Sequence, residues 1–423
     1  MLAHRIPIHF DADPKKVILL YLDPGESERL PRFANFTRQL SDKEADNIHQ
    51  QTLVLFGHRH RYFNEILLEY ADRGLKELNN GTILNQKQKL VFGSYLSKEY
   101  SVEAAALFNP SIVPHPDQSN LAPGETRFVL TLRSVGEGHI SSIGFMEGIV
   151  DGKQHIRFTE QGPWRTAGVK STSPHGDDDH YDISFDEKIP LSERIIFPQA
   201  KSESMGMEDL RMVKFEEGGH FNYLGTYTAY NGRNIQSKML ETLDFKHFKI
   251  RNLKGSQIDN KGIAFFPRKL KGKYYVLSRQ GGESLAIMQS DDYMTWNTKQ
   301  PLQVPTRDFE LVQIGNCGSP IETPEGWLMI THHVGPVRRY TLGVTLLDLE
   351  QPHKVISMLR GPLMEPLKSE REGYVPNVLY TCGWMEHKES IVIPYAMSDV
   401  ACGFASVLTR DLLDQLKADQ GKA

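Results

Sequence analysis

Gly206-Met-Glu-Asp-Leu-Arg211 is the densest polar motif of the chain. On an extended segment the adjacent Glu208 and Asp209 point to opposite sides. One can then face an interior while the other anchors the backbone or Arg211. A carboxyl in a partly dry channel gains proton affinity from desolvation and becomes a usable acid. The plainer alternative is a solvated acidic turn with a surface arginine. Glu283, in Ser278-Arg-Gln-Gly-Gly-Glu283, and Glu322, in Gly318-Ser-Pro-Ile-Glu-Thr323, are the candidate partner bases. Each alone also fits a solvated loop. An acid and a base acting on opposite faces of one acetal carbon, with water between, stand roughly 6.5–9.5 Å apart.

Four further ionisable residues, Arg133, Arg279, His332 and Asp399, close similar segments, and those segments define the architecture that must hold the site. Short apolar runs rich in aromatic and β-branched residues recur between Gly, Pro, Asn and Asp turns after residue 105, which is strand chemistry. The runs are Thr126–Ser134, Gly219–Asn231, Gly272–Gln280, Gly326–Gly335 and Glu389–Val400. Phe221, Tyr274 and Trp327 follow one another at 53 residues, Trp327 and Ile391 at 64, and Phe128 and Phe221 at 93. Units of four strands need about 40–50 residues each. Five copies predict an all-β, five-bladed β-propeller over 106–423, with an insertion between Asp151 and Asp186 that holds the polar stretch Ser173–Tyr181. A β-sandwich with helices is the alternative. In a propeller, polar side chains at repeat-equivalent strand ends converge on one end of the central channel.

Residues 1–105 predict a helical extension. Ser41-Asp-Lys-Glu44 is a capping-box pattern, a second helix is expected from Tyr62 to Leu78 with Phe63, Ile66, Leu67 and Tyr70 on one face, and a third from Ser97 or Ser101 to Leu107. A short helix carrying Leu412, Leu413 and Leu416 is expected at the C-terminus.

Composition excludes other classes. The 423-residue chain is 39% hydrophobic and 24% charged, with a formal net charge of -4. This balance leaves no footprint for nucleic acid or an anionic membrane. No run of about 18 apolar residues predicts a membrane span. Cys317, Cys382 and Cys402 form no C-x-x-C pair, and an odd count argues against a disulfide framework. With no apolar leader segment, a cytoplasmic location is expected. Arg133-Ser-Val-Gly-Glu-Gly-His139 matches no phosphate-binding loop. His115, Asp117, Asp177 to Asp179 and His180 are read as polar loops rather than metal ligands. His332 and His333 on one strand face opposite ways, so no metal and no cofactor are expected.

Taken together, these segments resemble glycoside hydrolase family 130, five-bladed propeller enzymes that phosphorolyse or hydrolyse β-mannosides. The resemblance runs over about 290 residues, from Phe108-Asn-Pro through Leu132-Arg133, Gly206–Arg211, Asn260-Lys-Gly-Ile-Ala-Phe-Phe-Pro-Arg268 and Tyr274–Arg279. It continues through Gly326-Trp-Leu, Leu346–Leu349, Pro362–Pro366, Tyr374-Val-Pro-Asn-Val378 and Tyr395–Asp399. It implies that Asp209 is the proton donor, with Leu210 where a proline is usual. It implies that Asn109, Arg133, Lys261 and Asp399 line the sugar subsite, and that groups near Lys261, Arg279 and the position of Glu322 gather around phosphate, with His332 assisting. Glu208, Arg211, Arg268 and Tyr374 complete the expected substrate-binding set, and Tyr374, Tyr395 or Trp327 are candidates to stack on a sugar. N-terminal helices of the family imply a homo-oligomer. Family phosphorylases usually carry lysine where this chain has Glu322. A carboxylate about 4 Å from phosphate would cost roughly 4 kcal/mol at an effective dielectric of 20. The expectation is therefore an exo-acting, inverting β-mannosidase of manno-oligosaccharides, with Glu322 or Glu283 as base. The alternatives are a phosphorylase releasing mannose 1-phosphate, with inorganic phosphate as co-substrate, and a non-catalytic glycan- or protein-binding propeller.

Overall fold

The computed structural model describes residues 2–25, 28–172 and 178–421. Of the expected polar stretch Ser173–Tyr181, residues 173–177 lie outside the described residues. The protein is mostly β with helices near its N-terminus, and it divides into two compact units. One unit comprises 1–12, 105–161 and 168–423, and the other 13–104 and 162–167.

The larger unit repeats one antiparallel pattern five times. The first sheet runs Ala106–Pro114, Thr126–Val135, Ser141–Val150, Ile156–Phe158. The second runs Gly206–Glu217, His220–Tyr230, Ile235–Thr242, His247–Asn252, is extended by Tyr181–Ser184 and Val169–Thr172, and is joined to the first by a parallel bridge between Gly206 and Ser141. The third is Ala264–Phe265, Tyr274–Ser278, Leu285–Ser290, Gln300–Gln303. In the fourth, Gln313–Asn316 and Ile321–Thr323 both pair with Gly326–Val334, followed by Tyr340–Leu347 and Val355–Met358. In the fifth, Leu379–Tyr380 and Met385–His387 pair with Ser390–Met397, then comes Ala401–Leu408. Its last strand is His4–Asp11, from the other end of the chain.

All five runs singled out in the sequence are second strands of these sheets. Hydrogen bonds link these sheets to one another in a closed order. Met212 N donates to Ser111 Oγ at 3.1 Å, Glu216 N to Pro267 O at 2.8 Å and Ile314 N to Glu283 O at 3.0 Å. Trp384 Nε1 donates to Ser319 O at 3.0 Å, and Cys382 N to Pro110 O at 2.8 Å. Between adjacent sheets lie apolar layers, such as Phe265, Val276, Met288 and Trp296 with Val213 and Leu224. Helix Thr409–Asp419 buries Leu412, Leu413 and Leu416 on this unit, as its apolar spacing predicts.

The smaller unit holds α1 (Arg29–Gln39), α2 (Asp42–Phe56), α3 (Phe63–Leu78) and α4 (Gln86–Tyr95). Ser41 and Glu44 form the expected capping box on α2, a device whose loss typically costs about 1 kcal/mol. Phe63 and Leu67 of α3 are buried, with Ile66 and Tyr70 packed beside them. Gly93 of α4 lies so close to the backbone of Leu67 that a Cβ would overlap its carbonyl. The region is not helical throughout. Ser97–Ser101 is a strand on Val17–Tyr21 rather than the start of a helix, and Ala106 opens the first sheet. The five residues of Ser97–Ser101 pair antiparallel with that strand, and Tyr100 is buried opposite Ile18.

Candidate active site

The site begins with two bulges. Between Glu208 and Arg211 the pairing with the next strand slips, and Asp209 takes φ 57°. Between Phe108 and Ser111 the same happens, and Asn109 takes φ 48°. Left-handed backbone costs a non-glycine residue roughly 1 kcal/mol, and a bulge re-aims the side chain it carries. A positive φ recurs just before the first strands of the third and fifth sheets, at Gly262 (φ 88°) and Asn377 (φ 62°).

The bulge overrides the simple alternation expected of Glu208 and Asp209. Both carboxylates reach one guanidinium. Arg133 Nη2 donates to Glu208 Oε1 at 2.8 Å and Nη1 to Asp209 Oδ1 at 3.3 Å, while Nε is held by Ser141 Oγ at 3.0 Å. Asn109 Nδ2 donates to Asp209 Oδ1 at 2.7 Å. Asn109 Oδ1 is buried without a partner and remains open as an acceptor. Lys261 Nζ stands 3.7 Å from Glu208 Oε2. Burial by itself pushes the Asp209 carboxyl up, but Arg133, Lys261 and Arg211, with the Asn109 hydrogen bond, hold it well below the usual carboxylate range. Asp399, left-handed like Ser398 before it, has the opposite balance. Burial first, then the charge of Asp209, pushes it up to about 6 against the pull of Arg133 and Arg338.

Arg211 is expected to bind substrate, but the fold uses it otherwise. It is 4% exposed and every nitrogen is engaged by protein. Nη1 donates to Asp209 O at 3.0 Å, Nε to Cys317 O at 2.6 Å and Nη2 to Tyr380 Oη at 2.6 Å. It pins the backbone of the bulge to two other inner segments, and so positions Asp209. Tyr380 packs edge-on against His332 at 4.9 Å. Burial, then the Arg279 and Arg211 cations, hold His332 well below its ordinary range, so its imidazole is neutral. Its Nε2 lies 3.2 Å from Gln313 Nε2, and Tyr340 stacks on it at 5.9 Å. Asn316, 1% exposed, has both amide atoms unpartnered, and it faces Gly262 from the same side as Arg279. Arg279 is half-buried and makes no ion pair among the described residues.

The structure thus brings together Asn109, Arg133, Glu208, Asp209, Arg211, Lys261, Arg279, His332 and Asp399. Asn316, Tyr380, Gln313 and Ser141 were not foreseen. Asn316 had a signal, since Asn-Cys-Gly before Ser319 sits where Phe108-Asn-Pro and Glu208-Asp-Leu sit in their repeats. Glu283 is exposed on the hairpin that follows Arg279. Tyr374 is 61% exposed and stacks on His139.

Glu322 and Arg268 lie elsewhere. Glu322 pairs in register with Trp327, whereas His332 is five residues further along that strand, about 17 Å at 3.3 Å per residue. Glu322 is closed in a two-pronged pair with Arg268, Nε–Oε2 at 2.7 Å and Nη2–Oε1 at 2.5 Å. Both line a cavity of about 370 Å³ at the opposite end of the inner strands, with Met212, Lys214, Glu216 and Trp384. The sequence shows that Glu322 is a carboxylate but not at which end of its strand it emerges. Trp327 is fully buried and bonds Leu349 O, and Tyr395 is buried against Glu370, so neither ring is available to a sugar. Among the described residues no cluster of metal-ligating side chains is found.

Residues 178–418 match the family described as β-1,4-mannooligosaccharide phosphorylase, glycoside hydrolase family 130. The 1,2-β-oligomannan phosphorylase of Thermoanaerobacter sp. (strain X514) is 33% identical over 52% of this chain and 75% of its own. The β-1,2-mannobiose phosphorylase of the same organism is 30% identical over 73% of this chain and 92% of its own. A solved structure described as one of the glycoside hydrolases in this family of mannoside phosphorylases, targeting β-1,2-mannosidic linkages in Candida mannan, superposes with a TM-score of 0.55. It does so at 18% identity, over 74% of this chain and 87% of the other. The chain belongs to glycoside hydrolase family 130, the mannoside phosphorylases and hydrolases.

Proposed function

We propose that this protein is an inverting, exo-acting β-mannoside phosphorylase, and that its five repeated antiparallel units are the blades of a propeller closed by His4–Asp11. The observation that carries the reading is the placing of Asp209 with a polar cluster of Lys261, Arg279, neutral His332 and Asn316, in which Arg279 makes no ion pair among the described residues and the Asn316 amide has no partner. The carboxylate that had favoured hydrolysis, Glu322, is spent on Arg268 at the other end of the strands. A dianion is the ligand that such a cluster suits. The named relatives, both phosphorylases, support the same choice.

The chemistry follows from the charges. In the free site three cations keep Asp209 ionised. A phosphate dianion at Lys261 and Arg279 offsets that field and returns Asp209 toward ordinary proton affinity. A phosphate oxygen then attacks the anomeric carbon from the face opposite the leaving group. The C1–O bond breaks, and the Asp209 proton passes to the leaving oxygen, directly or through a sugar hydroxyl. The products are mannose 1-phosphate of inverted configuration and the shortened sugar. Arg133, Asp399 and the open Asn109 Oδ1 hold mannosyl hydroxyls.

Hydrolysis is the second reading, favoured by the exposed Glu283 beside Arg279 and by the hydrolytic relative. Product analysis on β-1,2-, β-1,3- and β-1,4-mannobiose with and without inorganic phosphate separates the two. Mannose 1-phosphate formed only with phosphate is expected. Equal release of free mannose in both conditions would establish the hydrolase.

A further inference from the structure

We infer that the stacked rings of His139 and Tyr374 form the platform for the leaving-group sugar, and so set which β-mannosides the enzyme accepts. This rests on the proposed site at Asp209.

The two rings lie 5.4 Å apart with 27° between their planes. They come from segments distant in the chain, and each is tied to a polar group of the site. His139 ends the hairpin that continues from Arg133. There Gly136 N bonds Ile140 O at 3.1 Å, and His139 N bonds Gly136 O at 3.1 Å. Gly138 (φ 67°) and His139 (φ 61°) are both left-handed, so the turn is held in a conformation that costs a histidine roughly 1 kcal/mol. Tyr374 is fixed from both sides. A Cβ on Gly373 would lie 2.5 Å from Ser398 O, and Val375 N bonds that same oxygen at 3.0 Å. Ser398 immediately precedes Asp399, whose carboxyl feels Asp209, Arg133 and Glu208. The stack therefore joins the hairpin that follows Arg133 to the segment that packs on Ser398, next to Asp399.

Exposure orders the subsites. Asp209 has 11% of its side chain exposed, whereas Tyr374 is 61% exposed. A sugar whose glycosidic oxygen meets Asp209 has its non-reducing ring inside and its leaving ring toward the rim. A large aromatic left open at a rim offers its face to the C–H groups of a pyranose, and His139 behind it holds the ring upright. Nothing in this platform reads the transferred mannosyl unit, so its effect falls on the leaving group.

The test is calorimetry on the Asp209→Asn protein, which binds without turnover, using mannose and β-1,2-mannobiose as probes. Tyr374→Ala in that background should weaken mannobiose by about tenfold, a typical aromatic-face contribution, and leave mannose within twofold. His139→Ala should act in the same direction and more weakly, while Tyr374→Phe should match the parent. Equal losses for both sugars, or none for either, would overturn the platform and leave the site standing. Failure of the Asp209→Asn parent to bind any mannobiose would overturn the functional reading, and the platform with it.

Discussion

Along the single strand Gly206–Glu217, Asp209 stands among Asn109, Arg133, Lys261 and Arg211, and Glu216 stands beside the Arg268–Glu322 pair. The two ends differ in how their charges are spent. At the Asp209 end, backbone strain and unpartnered amides leave groups with capacity for a ligand. At the far end Arg268 and Glu322 answer each other, and Lys214 answers Glu216 at 3.1 Å. Both ends are rich in ionisable residues, so density of charge alone does not mark the reactive one. What marks it is a strained bulge that aims a carboxylate at cations, beside polar atoms left without partners.

The sharpest way to break this contrast is to neutralise one carboxylate at each end. Asp209→Asn is expected to lower kcat by about 10³-fold, within the range of a lost general acid, in a protein that still folds cooperatively. Glu322→Gln is expected to stay within about threefold of the parent, because an exposed pair of this kind contributes roughly 0–1 kcal/mol. A hundredfold loss in Glu322→Gln would move the reaction to the far end.

Next in size is the support of the bulge. Arg211→Lys keeps the charge but cannot hold Cys317 O, Asp209 O and Tyr380 Oη together. A shift of about 1 Å in Asp209 can cost on the order of 10²-fold. The expected result is a kcat lowered about 10–100-fold with KM for sugar and phosphate within threefold. A rise in KM for the sugar at constant kcat would instead make Arg211 a substrate ligand.

Arg279→Gln should raise KM for phosphate about tenfold or more, since a guanidinium–phosphate contact is charge-assisted, and leave KM for mannobiose nearly unchanged. Equal changes in the two constants would remove Arg279 from the phosphate end of the site.

The smallest effect concerns pH. Asp399 is pushed up to about 6 in the folded chain, above an unfolded value near 3.9. The folded state therefore holds the extra proton between these values. The contribution of Asp399 to stability is complete below about pH 4 and is lost as pH rises through 6. Asp399→Asn should flatten that part of the profile, by about 1–2 kcal/mol after allowance for its partial exposure. Chemical unfolding at pH 4, 5, 6 and 7 reads it. Parallel profiles for the two proteins would show that the burial of Asp399 is not felt.

The repeated strands were legible because each carries its own local signal of alternation and turn residues. For the same reason Arg133, Arg279, His332 and Asp399 could be grouped before any coordinates, since equivalent strand ends meet at one end of a closed sheet order. Three features were not legible, each for a nonlocal reason. His4–Asp11 is a strand only because Ala401–Leu408, some four hundred residues away, offers it an edge. Ser97–Ser101 is a strand only because Val17–Tyr21 pairs with it. Glu322 was recognisable as a carboxylate, but its register opposite Trp327, which sends it to the far end, comes from tertiary pairing. Arg211 shows the same limit at the level of one side chain, because its three acceptors come from three separate segments.

The most direct test of the central claim is the initial rate of β-1,2-mannobiose consumption as inorganic phosphate is raised from zero, measured in parallel for the parent and Glu322→Gln. Both curves should start near zero and saturate at similar phosphate concentrations. A phosphate-independent rate in the parent that Glu322→Gln abolishes would contradict it.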